Sequence, residues 1–235
     1  MKQIFDSLKK QSPSRIIALG FSAVILVGAV LLMMPFSLKK GVHLSFLNAL
    51  FTSTSAVCVT GLVVVDTADS FTAIGQAIVA ALIQIGGLGI ASVGVGLIIA
   101  AGKRVSIKSR LMVKEALNVD TYHGMVRLVR IVLAITLGFE AAGAIISFFV
   151  FRKDYSPLHA VGISIFHSIA AFNNAGFDNL GGMHNLIPYK DNILLNITTD
   201  VLVIVGGIGF LVLVDIVKQK SFKKLCLHSK VAISM

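Results

Sequence analysis

Charged residues and cysteines are both scarce in this chain of 235 residues. Only 14% of its residues are charged and 56% are hydrophobic, whereas a soluble domain is about a quarter charged. The excess lies in long uncharged runs, which indicates a chain embedded in a bilayer. The two cysteines, Cys58 and Cys226, are too few and too far apart for a disulfide-stapled secreted domain. The abundance of Ile, Val, Leu and Phe excludes disorder for most of the chain.

Four apolar runs predict membrane spans. The first, from Ile16 to Met34, would be about 28 Å long as a helix, which is close to one hydrocarbon thickness. It is too long for a signal-peptide core and lacks a small-residue cleavage site after it. The other three runs are residues 71–102, 131–151 and 192–217.

The basic residues lie mostly on one predicted side of the membrane. Sixteen of the 21 Lys and Arg residues precede the first run, separate the second from the third, or follow the fourth. The positive-inside rule therefore predicts a multi-pass protein with both ends of this chain in the cytoplasm. The net charge of +10 is then an orientation signal beside anionic lipid rather than a sign of nucleic-acid binding.

Two short apolar segments, residues 44–57 and 158–172, are too short to span the membrane and predict re-entrant helices. Gly61 aligns with Gly176 at a shift of 115 residues, and a Gly-Gly-x-Gly cluster recurs at a shift of 120. The sequence therefore predicts an all-α polytopic membrane protein. It would contain two parallel repeats of helix, re-entrant pore helix, filter turn and helix. The glycine clusters indicate close helix packing or local bending.

Each predicted re-entrant helix is followed by a short segment with a glycine at the same place. Carbonyl oxygens along such an extended turn can replace the hydration shell of a potassium ion. The negative end of the short helix dipole would favour a cation there. The two segments are Cys58-Val59-Thr60-Gly61-Leu62 and Asn173-Asn174-Ala175-Gly176-Phe177.

These motifs resemble a known family. The stretches Thr52–Thr67 and Ile83–Gly89 look like the first pore unit of the TrkH/KtrB/HKT superfamily of potassium transporters, and Ala171–Phe177 looks like its second filter. Within the superfamily the chain is most similar to the KtrB type, the membrane subunit of bacterial Ktr potassium uptake systems. The carbonyl ligands that this resemblance implies are those of Val59, Thr60, Asn174 and Ala175. The implied filter glycines are Gly61 and Gly176.

The resemblance also implies ions and partners. Potassium would be the transported ion, with sodium as an activating or coupled ion, and the chain itself would carry no cofactor. The partners would be a cytoplasmic nucleotide-binding subunit of the KtrA type, which binds ATP or ADP, and a second complete chain in a homodimer. The implied location is the bacterial cell membrane. The stretch from Val105 to His123 has the pattern of a cytoplasmic connection with some amphipathic helix, and it would either dock the regulatory subunit or contact the membrane surface.

Members of this family carry four pore units, whereas this sequence contains two. We therefore expect a partial sequence, with a half-length protein that pairs to complete four units as the alternative. A scaffold or degraded half-gene product is a further alternative. The expected segments are an N-terminal segment 1–15, a first unit 16–102, a basic connection 103–125, a second unit 126–217, and a linker 218–235 that opens a third unit.

Some polar residues have two readings. Glu140 and Asp200 are the only acids well inside the predicted spans, so they are functional candidates or hydrogen-bond partners that fix one helix against another. A membrane-embedded enzyme that uses them is the alternative function, although no nucleophile or metal cluster accompanies them. Asp66 would raise the cation concentration at the pore mouth or cap a turn. Cys58 is expected to be a small packing residue.

Overall fold

The computed structural model describes residues 12–117 and 124–234, and its regular elements there are helices. Of the expected segments, most of 1–15 and part of 103–125 therefore lie outside the described residues. Two short 3-10 helices, Ile187–Tyr189 and Phe222–Lys224, lie in connections. The α-helices are α1 Pro13–Met33, α2 Phe46–Cys58, α3 Thr67–Ser70, α4 Ala73–Leu88, α5 Ile90–Ala100, α6 Ile107–Ala116, α7 Met125–Phe151, α8 Pro157–Phe172, α9 Ile193–Gly207, α10 Phe210–Gln219 and α11 Leu227–Ser234.

Two of the four predicted spans are single helices and two are broken. α1 and α7 are each long and apolar enough to cross a membrane. The runs 71–102 and 192–217 are not continuous: α4 and α5 meet at 105°, and α9 and α10 meet at 95°. The breaks fall at Gly89 and Gly209, whose φ angles of 77° and 96° a residue with a side chain rarely adopts. The bending interpretation of the glycine clusters is thus confirmed, and each of these two runs forms a pair of helices.

The two short helices lie where the sequence predicts re-entrant elements. Ser45 caps α2, because its Oγ accepts a hydrogen bond from the Asn48 backbone N–H at 3.2 Å. α8 begins with Pro157 at its first position, where a missing N–H costs no helical hydrogen bond. Both helices are too short to cross a bilayer, and each is followed by one of the two glycine turns.

The internal repeat extends to individual contacts. Ser53 on α2 donates a hydrogen bond to the Ile25 carbonyl of α1 at 2.8 Å. Ser168 on α8 donates to the Glu140 carbonyl of α7 at 2.7 Å. Each pair lies 115 residues from its counterpart, so the re-entrant helix is joined to the first span of its unit in the same way twice.

Glycines allow the second membrane segment of each unit to touch its re-entrant helix. A Cβ added at Gly86 would collide with the Val57 carbonyl, and one added at Gly206 would collide with the Phe172 carbonyl. These are again equivalent positions of the two units, at shifts of 120 and 115. The glycine clusters therefore also provide close packing, as the sequence predicts.

The largest buried cluster joins the two units. It is built from apolar side chains of α1, α2 and α4, and it also contains Phe166 and Ala170 of α8. A second cluster lies among α5, α6, α7 and α10, at the end of the molecule where the basic residues are concentrated. The glycine turns lie at the first cluster, because Ala175 and Phe177 are part of it.

Candidate ion-binding turns

The first turn has left-handed backbone at two of three successive residues. Val59 has φ 56° and ψ 44°, and Gly61 has φ 72°. Thr60 between them is not left-handed. The chain therefore leaves the helix here, and the carbonyls of Val59 and Thr60 lie outside the helical hydrogen-bond pattern.

The second turn has the same geometry. Asn174 has φ 57° and Gly176 has φ 68°, with Ala175 outside the left-handed region between them. Asn tolerates this conformation, whereas a β-branched residue such as Val59 is disfavoured by about 1–2 kcal/mol. The repeated occurrence of a left-handed residue two positions before the glycine is a feature that the sequence analysis did not identify.

The helix ends hold both turns in place. The Thr60 N–H donates to the Ser55 carbonyl at 3.0 Å, and the Ala175 N–H donates to the Ala170 carbonyl at 2.8 Å. This is the six-residue bond of a Schellman helix end, which normally places glycine at the left-handed position. Here Val59 takes that position, so the helix end imposes a conformation that its side chain disfavours.

The two turns meet at their glycines. A Cβ added at Gly61 would lie 3.2 Å from the Ala175 carbonyl oxygen and 3.4 Å from the Gly176 Cα. A Cβ added at Gly176 would lie 3.0 Å from the Gly61 Cα. Glycine is therefore favoured at each position for two reasons: the φ angle is positive, and the backbone of the other turn leaves little room for a side chain.

A serine stabilises the first turn from within its own helix. Ser55 is buried, and its Oγ shares a hydrogen bond with Thr60 Oγ1 at 2.9 Å. The same oxygen accepts the Leu62 N–H at 3.0 Å. Ser55 thus ties the residues on both sides of Gly61 to the last turns of α2.

An asparagine at the second turn forms hydrogen bonds with residues of both units. Asn173 is buried, and its Nδ2 donates to Gln84 Oε1 of α4 and Glu140 Oε1 of α7, each at 3.2 Å. It also donates to the Ile169 carbonyl at 2.9 Å. Of the two interpretations of Glu140, the structure supports a hydrogen-bond partner that fixes one helix against another. Sequence reasoning missed Gln84, although a neutral polar residue within an uncharged run is a signal that could have indicated it.

The structure does not bring Asp200 to this network. Asp200 is exposed on α9, and its carboxylate is not among the hydrogen-bond partners of Asn173 in the described part of the chain. The paired acids that a membrane-embedded enzyme would need are therefore not assembled here. Cys58 was expected to be a small packing residue, and its side chain is exposed in this structure.

The acids beyond the first turn fasten the outer connection of the second unit. Asp66 caps α3 and accepts the Met183 N–H at 2.8 Å, and Asp69 accepts the Gly182 N–H at 2.9 Å. The capping reading of Asp66 is thus seen directly. Burial raises the pKa of the nearby Asp178, and the carboxylate of Asp66 raises it further.

A membrane chain that repeats a span, a re-entrant helix, a glycine turn and a broken span has the architecture of the pore-loop class. The chain belongs to the TrkH family, described as cation transport protein, whose family model matches residues 8–235. The family and the relatives below are transporters rather than enzymes.

Three relatives illustrate the similarity. The chain is 41% identical to the Ktr system potassium uptake protein B of Bacillus subtilis over 95% of its own length and 49% of the relative's. It is 39% identical to the potassium/sodium uptake protein NtpJ of Enterococcus hirae, over 97% of this chain and 50% of that protein. It is 38% identical to the Ktr system potassium uptake protein D of Bacillus subtilis, over 91% and 47%. The chain thus spans about half the length of these relatives.

Proposed function

We propose that this chain supplies two pore units of a potassium uptake protein, in which backbone carbonyls of the two glycine turns coordinate the ion. The observation that carries the proposal is the left-handed backbone at Val59, Gly61, Asn174 and Gly176, in two turns that meet at their glycines. Neutral carbonyl oxygens suit a monovalent cation, whereas a divalent cation would usually require carboxylates. The proposed ligands are the carbonyls of Val59, Thr60, Asn174 and Ala175. The proposed flanking residues are Cys58, Leu62, Asn173 and Phe177.

The names of the relatives support the choice of ion. Two are Ktr system potassium uptake proteins, and a third is a potassium/sodium uptake protein, which supports sodium as an activating or coupled ion. A Ktr system contains more than one component, so the proposed partners are a nucleotide-binding regulatory subunit of the KtrA type and a second copy of the complete chain.

The arrangement in the membrane is also a proposal. The pore units would be residues 16–102 and 126–217, joined by the basic connection 103–125 and flanked by segments 1–15 and 218–235. The concentration of Lys and Arg on one side supports a bacterial cell-membrane protein with both ends of this chain in the cytoplasm.

Replacement of a turn glycine tests this function. Gly61→Ser and Gly176→Ser would each strain the left-handed backbone by about 1–2 kcal/mol and crowd the opposite turn. We expect the potassium-over-sodium preference to fall, because displaced carbonyls would replace the hydration shell of potassium less well; a tenfold loss would correspond to a difference of about 1.4 kcal/mol between the two ions. The measurement is potassium and sodium uptake by the complete protein that contains these two units, in a strain that lacks its own potassium uptake systems, with membrane abundance followed by immunoblot.

Gly41→Ser is the matched control. Gly41 also has a positive φ, of 82°, but a Cβ there would have no neighbour within 4 Å. We expect this variant to keep the wild-type ion preference. Normal abundance with an unchanged ion preference in both turn variants would contradict the assignment of the turns.

A further inference from the structure

A strongly basic recess lies where α5, α6 and α7 meet. It consists of two adjoining cavities of about 420 and 440 Å³, and Arg110 of α6 and Arg130 of α7 line both. The recess lies near the start of α1, because Ser14 of α1 donates a hydrogen bond to Glu115 of α6 at 2.8 Å. Five cationic side chains line it: Lys103, Arg104, Arg110, Arg127 and Arg130.

These cations lack acidic partners in the described part of the chain. No described carboxylate lines either cavity. Arg110 is half-buried, and its Nε is fully shielded from solvent without a hydrogen-bond acceptor among the described groups. A buried donor without an acceptor costs about 1–3 kcal/mol, and more when the group is charged. Arg110 lines both cavities together with four further cations, so an anion in the recess would face several positive charges and would supply an acceptor that Arg110 reaches by a change of rotamer.

The recess also has an apolar wall. Ile99 lies in the last turn of α5 and Val126 in the first turn of α7, so the cavities open at the ends of apolar membrane helices. Val105 and Met125 complete this wall, and both are buried. Cations above an apolar wall match a molecule with an anionic head and a hydrocarbon body.

We propose that this recess binds the phosphate headgroup of an anionic phospholipid, with Arg110 and Arg130 as the central ligands. Guanidinium groups pair with phosphate oxygens in a planar, two-bond geometry. Basic pockets between membrane helices on the cytoplasmic side are suited to such headgroups. The apolar wall at membrane depth favours a lipid over free phosphate, because free phosphate gains nothing from Ile99 and Val126.

The test compares lipid binding by two double variants that remove equal charge. R110Q/R130Q neutralises the centre of the recess, and K39Q/K40Q neutralises two exposed lysines in the connection between α1 and α2. The purified protein in detergent is titrated with phosphatidylglycerol or phosphatidylcholine, and bound lipid is counted by native mass spectrometry. We expect R110Q/R130Q to bind phosphatidylglycerol at least about tenfold more weakly, and K39Q/K40Q to bind as wild type does.

Three further measurements test lipid binding without relying on the double variant. Arg130 is exposed, so R130Q alone should fold normally and still bind phosphatidylglycerol several-fold more weakly. Equal binding of phosphatidylglycerol by R130Q and wild type would overturn the proposal. So would equal binding of phosphatidylcholine and phosphatidylglycerol by the wild type. Displacement of the lipid by inorganic phosphate at matched concentration would show a phosphate site instead, and would also overturn it.

Discussion

The two units build the same turn but stabilise it by different routes. In the first unit, Ser55 contacts Thr60 and Leu62, five and seven residues away in the same segment. In the second unit, Asn173 reaches Gln84 and Glu140, which are 89 and 33 residues away. The first turn is therefore stabilised within its own unit, whereas the second turn depends on how the two units pack together. The turn itself is common to both units, whereas the side chains that stabilise it differ between them.

The largest effect should come from the contact that both units share. We expect Gly86→Ala and Gly206→Ala to destabilise the protein alike, by about 3 kcal/mol or more, because each Cβ would meet the backbone carbonyl that ends a re-entrant helix. Backbone cannot move aside as a flexible side chain can. The measurement is the melting temperature and yield of the protein in detergent.

Gly138→Ala is the control for this pair. Gly138 lies within α7, and a Cβ there would have no neighbour within 4 Å. Alanine at such a site should stabilise the helix by about 0.5–1 kcal/mol. If only one of Gly86→Ala and Gly206→Ala proved harmful, the two units would not share the same packing.

A smaller effect is expected where the units differ. Asn173→Ala would leave Gln84 Oε1 and Glu140 Oε1 without this donor, which should cost about 1–3 kcal/mol. Cys58 is the equivalent residue of the first unit, and it is exposed, so Cys58→Ala should cost little. The melting temperatures of the two variants check this difference.

The ion preference of the same variants is a second test of the difference between the two units. If Asn173 positions the second turn, Asn173→Ala should lower the potassium-over-sodium preference in uptake assays, whereas Cys58→Ala should not. Glu140→Gln retains an acceptor for the Asn173 amide and should fall between the two variants. Equal melting temperatures and ion preferences for Asn173→Ala and Cys58→Ala would mean that the inter-unit network has no effect on the turn.

The features that can be predicted from the sequence are those that depend on neighbouring residues and on their spacing along the chain. Apolar runs, the repeat and the glycines at 61 and 176 follow from spacing alone, and the structure contains each of them. Bending at the glycine clusters was one of two interpretations, but the angles of 105° and 95° could not be predicted, because an apolar run has the same composition whether it is straight or sharply bent. The Asn173 network was not predicted either, because its partners come from three separate segments and meet only after the units pack.

The smallest effect should be the loss of the local support in the first unit. Ser55→Ala removes the hydroxyl that contacts Thr60 Oγ1 and the Leu62 N–H, and should cost about 1 kcal/mol in stability. Thr54→Ala removes a hydroxyl from the neighbouring position, where it donates only to the Leu50 carbonyl of its own helix. We expect Ser55→Ala to lower the melting temperature more than Thr54→Ala and to change the ion preference, since only Ser55 reaches the turn. If the two variants behaved alike, Ser55 would stabilise the helix and not the turn. The first turn would then be stabilised by its backbone hydrogen bonds alone.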